Sequence, residues 1–186
     1  RYHFNDTLYR SRRLILITLN NLIITAIGLD RPGIVSEISG VITSHGGNVE
    51  ESRMSRLGSD FAIIMLVSIA PDWEESLELA LKTITELTIT TKPTKLPQVS
   101  DGRQFRIDLS GADTQGIVKV LSRYLAGKSI NIVAMETHLS HAPVSGPPLF
   151  NLNASILVPG GVEEKEIQSD LSQIAQDLGV EIQLGN

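Results

Sequence analysis

The chain of 186 residues contains no cysteine and only 4% aromatic residues. The absence of cysteine excludes disulfides, thiolate metal sites and a cysteine nucleophile, and it favours a reducing compartment such as the cytoplasm. Because aromatic residues are so few, Ile, Leu and Val must build the cores. A membrane-spanning helix needs about 20 consecutive apolar residues, and since the sequence has no such run, no membrane span is predicted.

The charge of the chain is negative and unevenly distributed. The net charge is −5, although residues 1–13 carry four arginines against one aspartate. The remainder is therefore more acidic still, which argues against direct nucleic-acid binding because a phosphate backbone attracts basic surfaces. Arginines and apolar residues 14–19 imitate an export signal, but Asn20 and Asn21 interrupt the apolar stretch and no small-residue cleavage site follows. We therefore expect a cytoplasmic protein.

One unit occurs twice, 83 positions apart. The matching residues of the first copy are Gly28, Asp30, Gly33, Ile34, Val35 and Asn48, which recur as Gly111, Asp113, Gly116, Ile117, Val118 and Asn131. Two copies of about 80 residues are too few and too long for a solenoid, so the repeat predicts two sister domains.

The order of periodic segments is the same in both copies. Apolar residues 22–29 predict a buried strand, and apolar positions three and four apart from Ile34 to Ile42 predict a helix. Two strands around Gly58, a second helix after Pro71 and a short strand follow. The order βαββαβ predicts a ferredoxin-like fold, in which an antiparallel sheet has both helices on one face and its first and third strands central.

The composition of the segment between the two copies indicates where the domains begin and end. Residues 93–102 contain two prolines and a terminal glycine and lack periodicity, which is typical of a linker. The chain is therefore predicted to be an α+β protein. Its parts are an N-terminal arm at 1–21, a first domain at 22–92, the linker at 93–102 and a second domain at 103–186.

The sheet faces turned away from the helices differ between the copies. The outward positions of the central strands are Ile23, Thr25, Ile27, Ala62, Ile64 and Leu66 in the first copy, and Arg106, Asp108, Ser110, Asn151, Asn153 and Ser155 in the second. Single exposed apolar residues are ordinary, but a cluster predicts a covered surface. We expect a homodimer that pairs two first-copy faces, with residues 14–19 as a competing cover. The polar second face makes packing of the two sheets on each other the least favoured arrangement.

The turn from Asp30 to Val35 is the best candidate for ligand binding. Free N–H groups at a helix start attract an anion such as a carboxylate. Gly33 and Gly116 lack a Cβ and let a ligand approach the main chain, and Asp30 can meet an ammonium group. These features suit an amino acid zwitterion. A purely structural role explains the same residue types, because Asp caps helices, Pro fits the first helical turn and Gly permits close packing.

Residues 22–35 also resemble the start of an ACT domain, through the run Ile-Thr-Ala-Ile-Gly-Leu-Asp-Arg-Pro-Gly-Ile-Val. The resemblance continues through residues 45–54, 57–58 and 61–66, and the tandem arrangement is similar to that of the glycine cleavage system transcriptional repressors. It implies non-enzymatic regulatory domains that bind amino acids, with glycine favoured, and that contact a transcriptional activator protein. The alternative is a regulatory subunit of an amino-acid or one-carbon metabolic enzyme. Formyltetrahydrofolate hydrolases look similar at their N-termini, but this sequence lacks their catalytic domain.

The resemblance implies a set of ligand-binding positions. They are Asp30, Arg31, Pro32, Gly33, Ile34 and Asn48 in the first copy, and Asp113, Gly116 and Ile117 in the second. Thr114 and Gln115 replace Arg31 and Pro32 in the second copy, so the first copy is the more specific match.

No other motif predicts chemistry. His138 and His141 are three apart on a strand and face opposite sides, which disfavours a shared metal ion. The same alternation places Glu50 and Glu51 on opposite faces and argues against a catalytic carboxylate pair. The sequence contains no Gly-x-Ser-x-Gly elbow and no phosphate-binding Gly-Lys-Ser/Thr loop. We therefore expect a protein without catalytic activity, cofactor or metal.

Overall fold

The protein consists of two units of the same architecture. A computed structural model describes residues 19–96, 101–141 and 148–185, and the chain divides into units of residues 1–97 and 98–186. Each unit has a four-stranded antiparallel sheet and two helices in the order βαββαβ. The predicted α+β class with tandem ferredoxin-like domains is confirmed.

The first unit has the strand order β2-β3-β1-β4, with every neighbouring pair antiparallel. The first and third strands are therefore central, as predicted. Its elements are β1 (Asn20–Leu29), α1 (Ile34–Ser44), β2 (Asn48–Leu57), β3 (Asp60–Ile69), α2 (Pro71–Leu81) and β4 (Thr88–Thr94).

The second unit repeats this arrangement with the strand order β6-β7-β5-β8. Its elements are β5 (Gly102–Ala112), α3 (Ile117–Gly127), β6 (Asn131–His141), β7 (Pro148–Pro159), α4 (Glu164–Leu178) and β8 (Val180–Gly185). None of the helices in the described ranges of either unit has the length and apolar character needed to cross a membrane.

Strand β4 extends further than the sequence pattern indicates. It continues through Pro93 to Thr94, inside the segment predicted as a linker. Proline lacks the N–H of a ladder, but an edge strand has one side without a neighbour and tolerates it. Because β4 is an edge strand of the first sheet, Pro93 does not end it.

Each core lies between the inner face of its sheet and the two helices. Side chains alternate across a strand, so every second residue of the central strands is buried. In the first unit the buried apolar residues of β1, β3, α1 and α2 are Leu22, Ile24, Ala26, Ile63, Met65, Val67, Ile69, Ile34, Ile38, Ile42, Leu77 and Leu81. Each fully buried Ile or Leu contributes about 1.5–3 kcal/mol relative to an exposed one.

The outer faces of the two sheets differ as the sequence predicts. In the second sheet the Asp108 carboxylate accepts hydrogen bonds from Arg106, at 2.9 Å, and from Asn153. In the first sheet Ile27 and Ile64 are 53% and 45% exposed. The helices of the first unit therefore leave the outer face of its sheet uncovered, and the homodimer expected to cover it stays a prediction.

A β-bulge interrupts β2 close to its start. Val49 pairs with Val67 and Glu51 with Leu66, so Glu50 is the extra residue of the bulge. A bulge places two residues opposite one and breaks the strict alternation of faces.

The bulge changes the direction of the Glu50 side chain. Its Oε1 accepts hydrogen bonds from Ser68 Oγ at 2.5 Å and from Asn48 Nδ2 at 3.0 Å. Ser68 lies two residues from Leu66 and thus on the same outer face as Leu66 and its partner Glu51. The expectation that Glu50 and Glu51 point to opposite faces is therefore wrong, because it assumed an uninterrupted strand.

The environment of Glu50 predicts a pH-dependent contribution to stability. The hydrogen bond from Ser68, followed by that from Asn48, lowers the pKa of Glu50 below its ordinary 4.5, against the opposing effect of desolvation. A carboxyl whose folded-state pKa is depressed stabilises the fold above the unfolded-state pKa, and this contribution is lost as the pH falls through the folded-state value. Glu50→Gln should therefore lower the midpoint of thermal unfolding near pH 7, and the difference from wild type should shrink below about pH 4.

Ser68→Ala provides the matched comparison, because it removes the main cause of the shift and leaves the Glu50 charge in place. Thermal unfolding of this variant should have a weaker dependence on pH than that of wild type. A wild-type to Glu50→Gln difference that stays constant across the acidic range would contradict the assignment.

Candidate functional site

The turn at residues 30–33 joins the centre of the first sheet to α1. Gly33, the residue before the helix, adopts a left-handed conformation with φ 95°, which glycine reaches without the steric cost of a Cβ. The backbone N–H of Asp30 donates to Ser59 O at 2.9 Å and ties the turn to the β2–β3 hairpin. The turn is therefore tied at its start to the neighbouring hairpin.

The start of α1 presents free backbone donors. Among the described residues, no side chain makes a capping hydrogen bond to this helix. The first N–H groups of an α-helix have no intrahelical acceptor, and the helix dipole adds a positive partial charge there. Beside them is a cavity of about 310 Å³, lined by Asp30, Arg31, Gly33, Ile34, Val35, Ser36 and Phe61. This arrangement favours a small anionic group.

The Asp30 side chain supplies a negative charge at the same cavity. Its Oδ2 lies 3.8 Å from Arg56 Nη1, a distance that allows an ion pair but exceeds that of a hydrogen bond. Both side chains are more than a third exposed, so solvent weakens their attraction. Asp30 therefore keeps the capacity to accept a hydrogen bond from an ammonium group.

Arg31 is held by two carboxylates of its own unit. Its Nη2 donates to Glu37 Oε2 at 2.6 Å, and its Nε lies 2.6 Å from Glu86 Oε2 in an ion pair without hydrogen-bond alignment. The hydrogen bond to Glu37 is the largest influence that raises the pKa of Arg31. Because a ligand carboxylate would compete with both glutamates for this guanidinium, the geometry favours a positioning role for Arg31.

The first glycine of the repeat explains how Glu86 comes within reach of the turn. A Cβ on Gly28 would lie 2.6 Å from the backbone oxygen of Glu86 and 2.6 Å from Leu87 Cδ2. In the second unit, a Cβ on Gly111 would lie 2.9 Å from Val180 Cα. The absent side chain lets the central strand lie close to the segment before β4 in the first unit and to the first residue of β8 in the second.

Most of the ligand-binding residues predicted in the first unit lie together at the turn, but they differ in how far they are exposed. Pro32 and Gly33 are exposed at the turn, whereas Ile34 as a whole residue is only 2% exposed and belongs to the core. Ile34 therefore offers a ligand at the cavity very little surface. The same holds for Ile117 in the second unit, which is also 2% exposed.

The second unit repeats the backbone of the turn with other side chains. Gly116 has φ 96°, and within the described residues no side chain makes a capping hydrogen bond to α3. Asp113 is exposed, as Asp30 is. The Arg31 ion pairs have no counterpart here, because Thr114 occupies the equivalent position.

Asn48 lies far from the turn. It is opposite Ser68, which pairs with Asn21 near the start of β1, whereas the turn follows Leu29 at the end of that strand. Eight residues at about 3.4 Å each separate these ends by roughly 27 Å. Asn48 instead donates to Glu50 at the bulge, so the structure does not unite it with Asp30 and Gly33.

Comparison with known proteins agrees with this fold and repeat. Residues 20–93, which span the whole first unit from β1 into β4, match the family model of the ACT domain. The match to the ACT domain thus covers the first unit. The second unit has the same strand order and helix positions, so the two units are tandem ACT-like domains.

The matches to three known proteins extend over most of both units. The glycine cleavage system transcriptional repressor of Escherichia coli (strain K12) is 24% identical over 166 residues, which cover 86% of each chain. A crystal structure of an unknown protein from Galdieria sulphuraria has 32% identity and a TM-score of 0.81, and the match covers 90% of this chain and 98% of that one. A crystal structure assigned to a glycine cleavage system transcriptional repressor has 23% identity and a TM-score of 0.66, over 90% and 96% of the chains, and shows the shared fold.

Because Glu86 and Leu87 lie so close to Gly28, one added methyl group at this position should lower the stability of the protein. Gly28→Ala should lower the free energy of unfolding by about 1–3 kcal/mol, the usual cost of overpacking, because backbone atoms must move aside. Gly40→Ala is the control, since a Cβ at this helical position meets nothing within 4 Å. It should stabilise the protein by about 0.5–1 kcal/mol. Denaturant unfolding measures both effects, and equal stabilities of the two variants would refute the packing role of Gly28.

Proposed function

We propose that the chain is a non-enzymatic regulator whose first ACT domain binds a free amino acid and which modulates a transcriptional regulator by protein–protein contact. The observation that carries the proposal is the uncapped start of α1, beside a small cavity with the Asp30 carboxylate at its rim. The positive partial charge of the helix start and the negative charge of Asp30 thus lie close to each other. An amino acid zwitterion has the complementary pair of charges.

Glycine is the ligand we favour. The cavity of about 310 Å³ is at the lower end of the range for small-molecule sites, which is roughly 300–1,000 Å³. The ligand carboxylate would accept hydrogen bonds from the N–H groups that follow Gly33, and its ammonium group would donate to Asp30. Hydrogen bonds of this kind are about twice as strong as neutral ones. The relatedness to a protein named for the glycine cleavage system supports the same choice.

The first turn is proposed to bind more tightly than the second. Both glycines have nearly the same φ, at 95° and 96°, so both helix starts can expose their N–H groups. Only the first turn is braced by Arg31 against Glu37 and Glu86. Bracing reduces the conformational entropy that a ligand must remove when it orders the turn.

The chain is further proposed to act in the cytoplasm without cofactor or metal and to leave its ligand chemically unchanged. Its protein partner is proposed to be a transcription factor, by analogy with the function that the name of the Escherichia coli relative states. The predicted homodimer also remains a proposal.

Ligand binding can be tested with matched glycine variants. Gly33→Ala should weaken glycine binding at least tenfold, because a methyl group enters the space beside the free N–H groups. Gly116→Ala carries the same left-handed strain in the other unit, and each should cost about 1–2 kcal/mol of stability. Titration calorimetry should show that binding survives in Gly116→Ala, and the ligand recovered afterwards should be intact glycine. Unchanged affinity in folded Gly33→Ala protein would refute the site.

The partner class can be tested with the full chain as bait. Affinity capture with and without glycine, followed by mass spectrometry, should recover a transcriptional regulator whose yield depends on glycine. Gly33→Ala should retain the capture but lose the dependence on glycine. Recovery of a metabolic enzyme in place of a transcriptional regulator would contradict the proposal and favour the regulatory-subunit alternative.

A further inference from the structure

The outer face of the first sheet has more apolar surface than the sequence pattern alone indicates. Leu29 and Leu57 both pair with Asp60, which places them on the same outer face as Ile64, four residues along β3. They are 69% and 73% exposed. Together with Ile27 they extend the apolar surface to the end of the sheet where the turn lies.

We propose that this face binds the same face of a second copy of the chain, with the two-fold axis nearly parallel to the strands. An interface around a dyad must be complementary to itself. Two sheets that pack face to face keep their strand directions within about 30° of each other, which is consistent with such an axis. The arrangement of charges across the sheet decides the direction of the axis.

One row across the sheet carries opposite charges at its two ends. Glu51 of β2 pairs with Leu66, Leu66 pairs with Ile23, and Ile23 pairs with Lys92 of β4. The row thus runs from a carboxylate at one edge, over two apolar side chains, to an ammonium group at the other edge. Directly paired residues lie on the same face of a sheet, so all of these side chains point outward.

Rotation about an axis parallel to the strands brings β2 of one copy over β4 of the other. When the two copies of this row meet, Glu51 lies over Lys92 of the second copy at both ends, and Leu66 lies over Ile23 of the second copy between them. Charges at the rim then fix the register while the apolar centre provides the affinity. Glu51 already contacts Arg53 at 2.7 Å with 60% of its side chain exposed, which leaves it accessible to a further cation.

The perpendicular axis fits the charges less well. The next outward row contains Arg53, Ile64, Thr25 and Thr90. A dyad across the strands and through this row would place β2 over β2 of the second copy and Arg53 over Arg53. Two guanidinium groups facing each other at the rim would repel, so we favour the parallel axis.

The outer face of the second sheet can be compared with that of the first. The residues equivalent to Ile23 and Leu66 are Arg106 and Ser155, which pair with each other, and Arg106 also bonds to Asp108. This face is polar and satisfied within its own unit. The self-complementary row belongs to the first sheet alone, which makes the interface specific to the first domain.

The experiment uses charge reversal at the two ends of the row. Glu51→Lys should weaken the dimer at least tenfold, because the introduced ammonium group would face Lys92 of the second copy. Lys92→Glu should weaken it similarly by opposing two carboxylates. The double variant with both reversals should recover most of the affinity. Analytical ultracentrifugation over a dilution series measures the dimer constant, and circular dichroism verifies that each variant is folded.

Two further variants separate the apolar contribution from general effects of added charge. Leu66→Lys should produce folded monomers, whereas Ser155→Lys, the equivalent change in the second sheet, should leave the dimer constant unchanged. A wild-type protein that is monomeric at all concentrations would overturn the proposal, as expected if residues 14–19 of the same chain cover this face. A dimer that the single reversals leave intact, or that the double reversal does not restore, would overturn it as well.

Discussion

Each unit depends on the burial of one face of a central antiparallel strand pair beneath two helices. β1 and β3 in the first unit, and β5 and β7 in the second, carry alternating apolar residues that meet the apolar stripes of the helices. Because this single face supplies the core, the other face of each sheet is free to vary in polarity. The two units share a topology and differ in their outer surfaces.

Close packing at the ends of the central strands positions the candidate site. Gly28 lets the segment before β4 press against β1, and this brings Glu86 to the guanidinium of Arg31. The turn is thus held from the helix side by Glu37 and from the strand side by Glu86. The free N–H groups of α1 consequently occupy a defined position.

Much of the fold could be predicted from the sequence because the patterns that specify it are local or repeated. The spacing of Ile34, Ile38 and Ile42 and the alternation in the central strands each reflect the geometry of one element. The repeat predicted two domains of equal architecture. The candidate turn followed from residue types whose backbone preferences are strong, namely aspartate, proline and glycine.

Other features depend on pairings between distant segments, which local patterns do not contain. The bulge at Glu50 arises from the register between β2 and β3, and Pro93 is tolerated because β4 lies at an edge. The ion pair of Arg31 with Glu86 joins residues far apart in sequence. Asn48 matches Asn131 in the repeat, but a shared position in a repeat does not imply proximity to the turn. Three-dimensional placement was needed to separate it from Asp30.

Gly33 and Gly116 have nearly identical φ angles. Equal backbones make the two turns interchangeable in steric terms, so a graft of residues 30–33 onto 113–116 would fit. The charges would not follow, because Val120 stands where Glu37 would be needed to hold the transplanted arginine. The recognition proposed for the first domain would therefore need the turn together with its neighbours on α1 and before β4, and a short segment alone would not transfer it.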